Sequence, residues 1–194
     1  MNWEYGVSLK ELIRSDVDAW LNVWWPHTRF QDRLVPGLRL LYTHPGFRAT
    51  VIYRLSHHLH RKQVRILPSM LSRLNVTLYG LDIPSSVPIG PRLYIPHPVG
   101  TVVMAERIGH GVTLVSGITI GMRKEHAIPV IGNNVYVGAG ARVLGGVRIG
   151  NNVSIGANAV VLKDVPDDST AVGVPARVRS ALTQSRANGV LSLE

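Results

Sequence analysis

The chain has 194 residues, and its 21 Lys and Arg residues exceed its 12 Asp and Glu residues to give a formal net charge of +9. Hydrophobic residues make up 45% and charged residues 17%, a composition that excludes a disordered chain. Cysteine is absent, which excludes disulfides, thiolate metal sites and a cysteine nucleophile. The first residues do not resemble a secretion signal, and no uncharged run has the length of a membrane span. We expect a folded cytoplasmic protein.

The first 80 residues contain the helical signals. Their net charge is +6, they hold only 4 of the 19 glycines, and all four tryptophans lie within residues 1–25. Apolar residues at three- and four-residue steps predict an amphipathic helix over residues 8–25, with Ser8 as its N-cap. After a predicted loop that includes Pro36, further helical patterns run over about residues 47–60 and 68–79.

A six-residue period replaces the helical pattern from residue 82. An α-helix cannot keep such a period on one face, whereas a short strand followed by a tight turn can, so three hexads would form one coil of a solenoid. A second small or apolar residue recurs four places after eight of the marked positions, from Val112 to Val165. The marked positions are Ile83, Ile89, Ile95, Ile108, Leu114, Ile120, Ile131, Val137, Val143, Ile149, Ile155 and Val161.

The period is interrupted twice. The interruptions lie between Ile95 and Ile108 and between Ile120 and Ile131. Extra residues in a regular solenoid must leave its wall, so we predict a protruding loop at each place and treat both loops as candidates for function.

These features resemble the hexapeptide-repeat acyltransferases, and most of all their serine O-acetyltransferase branch. The resemblance is carried by the helical segment 46–58, by Leu81-Asp-Ile-Pro at the entry to the repeats, and by residues 160–166 and 173–177 at the exit. It implies a mainly β fold: a left-handed parallel β-helix over residues 81–178, preceded by an α-helical region over residues 1–80 and followed by a tail over residues 179–194.

His97 is the principal catalytic candidate. Its neighbours Pro96 and Pro98 restrict the backbone, so the imidazole should be held on a stiff extended corner. The resemblance implies that His97 is a general base and that Asp82, fifteen positions earlier, orients it. An imidazole with a pKa near neutrality suits removal of a proton from an attacking hydroxyl. On the residues alone, a turn histidine and a cap or turn aspartate remain alternatives.

The segment from Gly121 to Val130 is the second candidate. The resemblance implies that a histidine near the end of this loop contacts substrate, which points to His126, with Arg123 as a further substrate-binding residue. A solvated surface loop is the alternative for these side chains.

The resemblance also indicates where acetyl-CoA would bind. Ala139 and Ala157 are one coil apart and should stack on one face, where small side chains allow a ligand to approach. Gly121 matches a glycine near the thioester arm. Lys163 and Arg177 are placed to attract the phosphates, although either could be an ordinary surface charge.

Taken with the resemblance, these residues predict an acetyl-CoA-dependent O-acetyltransferase that works as a homotrimer or a dimer of trimers. No metal is expected, because the histidines lack the spacing of a ligand set. The family places an aspartate before the catalytic histidine to hold the amino group of serine, and here that residue is Pro96. We therefore predict that the acceptor is a hydroxyl of another small molecule or of a sugar.

Several alternatives remain open. One is a true serine O-acetyltransferase of cysteine biosynthesis, although the chain ends in Leu193-Glu194 and lacks the terminal isoleucine through which the family docks into cysteine synthase. Another is a β-helix scaffold without catalysis. The basic N-terminal part, with Trp24 and Trp25, could contact a membrane surface, but we favour a helical oligomer interface. No nucleic-acid-binding motif is present.

Overall fold

A computed structural model describes residues 7–26, 34–123 and 126–180. Most of the predicted tail, and with it the terminal residues that bear on cysteine synthase, lies outside these ranges. The described chain begins with four helices: α1 (Leu9–Trp24), α2 (Leu34–Thr43), α3 (Pro45–Arg61) and α4 (Leu67–Tyr79).

Three of these helices match the predicted segments. At the start of α1, the Ser8 hydroxyl accepts the Glu11 amide at 3.3 Å and the Glu11 carboxylate accepts the Ser8 amide at 2.8 Å, which forms a capping box. The prediction of a loop at Pro36 is wrong, because this residue lies in the first turn of α2. Proline is tolerated there, since the first amides of a helix have no intrahelical partner.

The remaining elements are short strands that wind into a parallel β-helix with three walls. Sheet 1 has the order β1-β2-β5-β8-β11, sheet 2 the order β3-β6-β9 and sheet 3 the order β4-β7-β10-β12-β13. All pairings are parallel except that of β12 with β13. The strands are β1 (Leu81–Asp82), β2 (Thr101–Val103), β3 (Arg107–Ile108), β4 (Thr113–Leu114), β5 (Thr119–Gly121), β6 (Val130–Ile131), β7 (Tyr136–Val137), β8 (Arg142–Leu144), β9 (Arg148–Ile149), β10 (Ser154–Ile155), β11 (Val160–Val161), β12 (Ser169–Val172) and β13 (Arg177–Ser180).

The six-residue pattern correctly predicts the interior. All twelve marked residues are buried, and so are the small and apolar residues that follow them by four places from Val112 to Val165. Side chains from three walls therefore fill one continuous core, as stacking of repeats requires.

Of the two predicted loops, one is present and one is absent. Between Gly121 and Val130 the chain leaves the wall, and its described residues Met122, Arg123, His126 and Ala127 are exposed. The prediction of a protruding loop after Ile95 is wrong. Residues 101–103 of that segment form strand β2, which pairs with β1 and β5 in sheet 1, and its Thr101 and Val103 side chains are buried.

Three edges join the three walls, and they locate the candidate residues. The first edge connects sheet 3 to sheet 1 and comprises residues 95–100, 115–118, 138–141 and 156–159. The second edge connects sheet 1 to sheet 2 and comprises the described residues 83–88, 104–106, 122–123, 126–129, 145–147 and 162–164. The third edge connects sheet 2 to sheet 3 at residues 90–93, 109–112, 132–135, 150–153 and 166–168.

The third edge is held by side-chain oxygens that accept hydrogen bonds from backbone amides of the preceding coil. The Asn133 Oδ1 atom accepts the His110 amide at 3.1 Å, Asn151 Oδ1 accepts the Asn133 amide at 2.9 Å, and Asp167 Oδ1 accepts the Asn151 amide at 2.8 Å. The last bond lowers the pKa of the Asp167 carboxyl, because the backbone amide stabilises the charged form. Each coil is thus tied to the next at this edge.

Helix α3 closes the first coil of the β-helix through buried polar contacts. The guanidinium of Arg54 binds both carboxylate oxygens of Asp16, at 2.7 and 3.0 Å, and donates to the carbonyls of Ile89 and Gly90 at the coil. The Leu93 amide donates to Asp16 at 2.8 Å. Burial raises the pKa of Asp16, whereas the adjacent guanidinium opposes this rise. One ion pair therefore joins α1, α3 and the β-helix.

Two further side chains of α3 bond to the first coil. The Tyr53 hydroxyl donates to the Val87 carbonyl at 2.7 Å, and burial raises the pKa of this hydroxyl. The Nδ1 atom of His57 lies 2.8 Å from the Ser85 carbonyl. Together with Arg54, these contacts fix the helix across the end of the β-helix.

Candidate active site

His97 lies on the first edge, where the backbone on both sides is anchored. Its amide donates to the Val115 carbonyl of the next coil at 3.2 Å, and the Pro98 carbonyl accepts the Thr101 amide at 3.1 Å. The His97 side chain is exposed, whereas Pro98 is buried. The imidazole therefore stands on a fixed corner and faces solvent, as the flanking prolines predict.

Asp82 lies at the end of β1, next to the same part of the molecule. It pairs in register with Val102 of β2, and the Gly100 amide donates to the Gly80 carbonyl at 3.0 Å. The segments that carry Asp82 and His97 are thus adjacent. Within the described residues, no hydrogen bond or ion pair joins the two exposed side chains, so the orienting role of Asp82 stays a prediction.

The start of α3 packs directly against the backbone that leads into His97. A Cβ atom on Gly46 would lie 2.0 Å from the Ile95 carbonyl oxygen and 2.9 Å from that of Pro96. Only glycine permits this approach. Gly46 carries part of the family resemblance, but this contact could not be predicted, because nothing local in the sequence links positions 46 and 95.

The two alanines predicted to contact acetyl-CoA lie on the same edge as His97. Ala139 and Ala157 are both exposed, and the Ala139 carbonyl accepts the Asn158 amide at 2.8 Å. The Gly140 amide in turn donates to the Ser116 carbonyl of the coil before it at 2.8 Å. With coils about 4.8 Å apart, the line from His97 to Ala157 spans three steps, or about 14 Å. An extended ligand can follow this edge from small side chains to the imidazole.

The predicted cations lie elsewhere in the chain. Arg123, His126 and Lys163 are on the second edge, across sheet 1 from His97, and Arg177 is exposed on β13. Arg123 borders a cavity of about 450 Å³ whose other walls include Ala127, Leu144, Gly145, Gly146 and Leu162. One copy of the chain therefore does not bring Arg123 and His126 together with His97.

Gly121 lies at the end of β5 in sheet 1, where its carbonyl accepts the Gly145 amide at 2.8 Å. A Cβ atom added at Gly121 would meet only the Met104 Cβ, at 4.0 Å. The φ angle of Gly121 is not in the left-handed region. The packing of the described residues gives no steric reason for glycine at this position.

The outer face of sheet 1 carries both apolar and polar residues. Val102 is 40% exposed and Leu144 and Val160 are partly exposed, and Asp82, Thr119 and Arg142 point outward from the same sheet. The corresponding outward positions are Arg107, Val130 and Arg148 in sheet 2 and Thr113, Tyr136, Ser154 and Thr170 in sheet 3. Apolar residues exposed together on one wall mark it as a contact surface.

Three further observations bear on other classes of site. A groove of about 640 Å³ runs along sheet 2 between Arg107, His110, Arg148 and Asp167, away from His97. Among the described residues, no group of three or more His, Asp or Glu side chains is arranged to hold a metal ion. No helix in the described part of the chain is both long and apolar enough to cross a membrane.

Comparison with known proteins identifies the family. The Bacterial transferase hexapeptide (six repeats) family matches residues 128–163. Serine acetyltransferase from Helicobacter pylori is 42% identical over 144 residues, which cover 71% of this chain and 83% of that protein. The chain belongs to the serine acetyltransferase family. Its β-helix is therefore left-handed, as the resemblance predicts.

Other members of the serine acetyltransferase family extend the match. The enzyme from Synechococcus elongatus is 42% identical over 148 residues; these cover 73% of this chain but only 60% of that protein. A solved serine acetyltransferase in complex with CoA superimposes with a TM-score of 0.75 at 31% identity, covering 91% of this chain and 72% of that one. The match thus includes most of the helical region as well as the β-helix.

Proposed function

We propose that this chain transfers the acetyl group of acetyl-CoA to an alcohol hydroxyl, with His97 as general base. The observation that carries the proposal is the alignment on one edge of an exposed, backbone-anchored histidine with Ala139 and Ala157. Family membership supports acetyl-CoA as the donor, since a related structure contains CoA.

The reaction needs no covalent enzyme intermediate. The acceptor oxygen attacks the thioester carbonyl carbon while the free ring nitrogen of His97 takes the hydroxyl proton. The tetrahedral intermediate then collapses, the carbon–sulfur bond breaks, and the leaving thiolate receives the proton from the imidazolium. Backbone amides of the first edge would stabilise the oxyanion.

Asp82 would stabilise the imidazolium and fix its tautomer by accepting a hydrogen bond from the other ring nitrogen. Its position on the strand next to the His97 segment supports this role. Catalytic hydrogen bonds are often long in an unliganded site and shorten in the reacting complex. We propose that substrate binding brings the carboxylate and the ring into contact.

The site would be completed by a second copy of the chain in a homotrimer. The exposed Val102 and the partly exposed Leu144 and Val160 on the outer face of sheet 1 would supply a contact surface between the first and second edges. Packing of three such walls around an axis would place the second edge of one subunit near the first edge of the next. The loop that carries Arg123 and His126 could then meet the acceptor, and Lys163 the phosphates of CoA.

L-serine is the acceptor that the relatives favour, because the matched proteins are serine acetyltransferases. A second candidate is an alcohol without an ammonium group, such as a sugar hydroxyl. Pro96 favours this second candidate, since it stands where the resemblance implies an aspartate that holds the amino group of serine. A buried ammonium group without a carboxylate partner costs several kcal/mol.

The test follows release of free thiol from acetyl-CoA by the full chain with L-serine, 3-hydroxypropionate and a panel of sugars, and it confirms products by the mass of one acetyl group. We expect L-serine to have the highest kcat/KM. Turnover of a sugar or of 3-hydroxypropionate, but not of serine, would establish the second candidate.

With the best acceptor, His97→Ala should lower kcat by about 10²- to 10⁴-fold. The matched control is His110→Ala, which removes an exposed histidine on the third edge and should leave kcat unchanged. Wild-type turnover by the His97 variant would eliminate the catalytic assignment. An unchanged rate in Asp82→Asn would remove Asp82 from the mechanism.

A further inference from the structure

The turn between α3 and α4 exposes an unusual group of apolar side chains. We define the tip as residues 60–67 together with Met70. Residues 60–67 are all exposed, and Ile66, Met70, Leu67 and Val64 are 72%, 58%, 44% and 39% exposed. Apolar residues clustered on a surface in this way indicate an interaction site.

The tip is also strongly basic. Arg61, Lys62 and Arg65 lie within it, and Arg73 is exposed farther along α4. None of these four side chains forms a hydrogen bond or ion pair with another described residue. The sequence contains no Asp or Glu between Arg33 and Leu81. The positive charge is therefore not compensated by neighbours along the chain.

The backbone of the tip is held in place by the helices on both sides. The amides of Lys62, Gln63 and Val64 donate to the carbonyls of His58, His60 and Leu59 at 3.1, 2.8 and 3.1 Å. Below the tip, the Pro68 carbonyl accepts the Ser56 hydroxyl at 2.8 Å. Because the projecting conformation is already formed, binding through it requires little ordering.

The course of α3 places the tip beyond the end of the β-helix. The helix begins against Ile95 on the first edge and reaches Ser85 on the second edge through His57, after which the tip follows within one or two turns. In the trimer of the proposed function, with its axis along the β-helix, the three tips would lie at the same end of the assembly. Several weak contacts to one surface would then act together.

We propose that the tip docks on an anionic phospholipid surface, with its apolar side chains at the headgroup level and its cations on the lipid phosphates. Exposed apolar residues flanked by Arg and Lys are the features that bind such surfaces. A second copy of the chain is a poorer occupant, since contact between two tips would bring their cations together. The orientation of three tips rests on the proposed trimer, whereas binding by each tip does not.

Vesicle flotation tests the proposal with the full chain. The vesicles are pure phosphatidylcholine or phosphatidylcholine mixed with phosphatidylglycerol, at about 50 mM and about 500 mM salt. We expect the protein to float with the anionic vesicles at low salt, to bind them less at high salt, and to leave pure phosphatidylcholine unbound. Failure to float with anionic vesicles at low salt would overturn the proposal.

Two triple variants test whether vesicle affinity depends on the cations of the tip or only on the net charge of the protein. In Arg61→Gln/Lys62→Gln/Arg65→Gln, loss of about fivefold in affinity per cation should weaken binding roughly 100-fold. The matched control, Arg107→Gln/Arg148→Gln/Arg179→Gln, removes the same charge from the β-helix wall and should change affinity less than about threefold. Equal losses in the two triple variants would show that only net charge matters, and would refute a specific tip.

The single variant Ile66→Ser tests the apolar part. It retains the backbone bond from the Met70 amide to the residue 66 carbonyl, so the fold should persist and the melting temperature should be unchanged. We expect a loss of roughly tenfold in vesicle affinity. Unaltered affinity would contradict insertion of the tip.

Two readouts distinguish the remaining outcomes. Retention on a poly-glutamate resin without vesicle binding would assign the tip to an acidic protein and overturn the lipid proposal. Thiol release from acetyl-CoA is measured on the same samples. If the tip variants lose vesicle binding but retain acetyl transfer, the tip is a docking surface separate from catalysis. If the wild-type chain binds vesicles but transfers no acetyl group, the proposed function fails and the lipid proposal stands.

Discussion

Replacing Asp16 by asparagine should lower the free energy of unfolding by about 3–5 kcal/mol, because it leaves a buried guanidinium without a counterion. Arg54 is 1% exposed and forms two bonds to Asp16 and two to carbonyls of the first coil. Asparagine has the size of aspartate and can still accept from the Leu93 amide, so the perturbation is mainly one of charge. For a chain of this length, the expected decrease in melting temperature is about 6–20 °C.

Thermal unfolding followed by circular dichroism, at one protein concentration for all variants, measures this decrease. Arg54→Met should also destabilise, whereas the double variant Asp16→Leu/Arg54→Met should lose much less than the sum of the single variants, since no unpaired charge remains. The matched control Asp18→Asn changes an acidic residue on the same helix that is not buried. A decrease of less than about 2 °C in Asp16→Asn, or additive losses in the double variant, would refute the reasoning.

Three other changes test contacts of α3 and of the third edge of the β-helix. Gly46→Ala places a Cβ atom 2.0 Å from the Ile95 carbonyl oxygen, so α3 must shift; we expect lower kcat with little change in KM for acetyl-CoA, and an unchanged kcat would contradict a positioning role for this contact. Burial lowers the pKa of His57 below its usual 6.5. Stability should therefore be constant above about pH 6.5 and decrease as the pH falls toward the folded pKa, which melting temperatures at several pH values would measure. In His57→Asn, the decrease in melting temperature at low pH should be smaller. Asn151→Ala removes the acceptor of the Asn133 amide and should cost about 1–3 kcal/mol of unfolding free energy by denaturant titration. The control Ser154→Ala should not, because this exposed side chain on β10 has no hydrogen-bond partner among the described residues.

The interior of the β-helix could be predicted from the sequence because its rule is local. Each coil repeats the same strand and turn, so an inward residue such as Val143 is specified by its place in the period. The one wrong loop has a physical cause. Residues 101–103 depart from the six-residue count, yet they form a strand with two inward side chains, since the first edge absorbs the extra residues in its turn at 95–100.

The contacts that attach the helices could not be predicted in the same way. Asp16 and Arg54 are 38 positions apart, and Gly46 meets Ile95 across 49 positions, so neither pair leaves a periodic signal. A charged residue on an amphipathic helix usually faces water, which gives no reason to expect a buried ion pair from the pattern alone.

The candidate site shows the same division between local and non-local information. The prolines beside His97 and the one-coil spacing of Ala139 and Ala157 are local. They correctly place His97 on a corner and the two alanines on one face, whereas the shared edge of all three comes from the structure. The second edge, with Arg123, is separated from them by a wall. How two edges meet depends on contacts between subunits, which the period within one chain does not encode.

The distribution of carboxylates in the sequence bears on whether the acceptor carries an ammonium group. Between Arg33 and Ala105 the only acidic residue is Asp82, so no second carboxylate lies near His97 along this part of the chain. If Asp82 binds the imidazole, it cannot also neutralise the ammonium group of an amino acid at full strength. A serine acceptor would then need a carboxylate from elsewhere, whereas an uncharged alcohol would need none. The ratio of kcat/KM for L-serine to that for 3-hydroxypropionate, which lacks the ammonium group, is therefore the most informative single measurement.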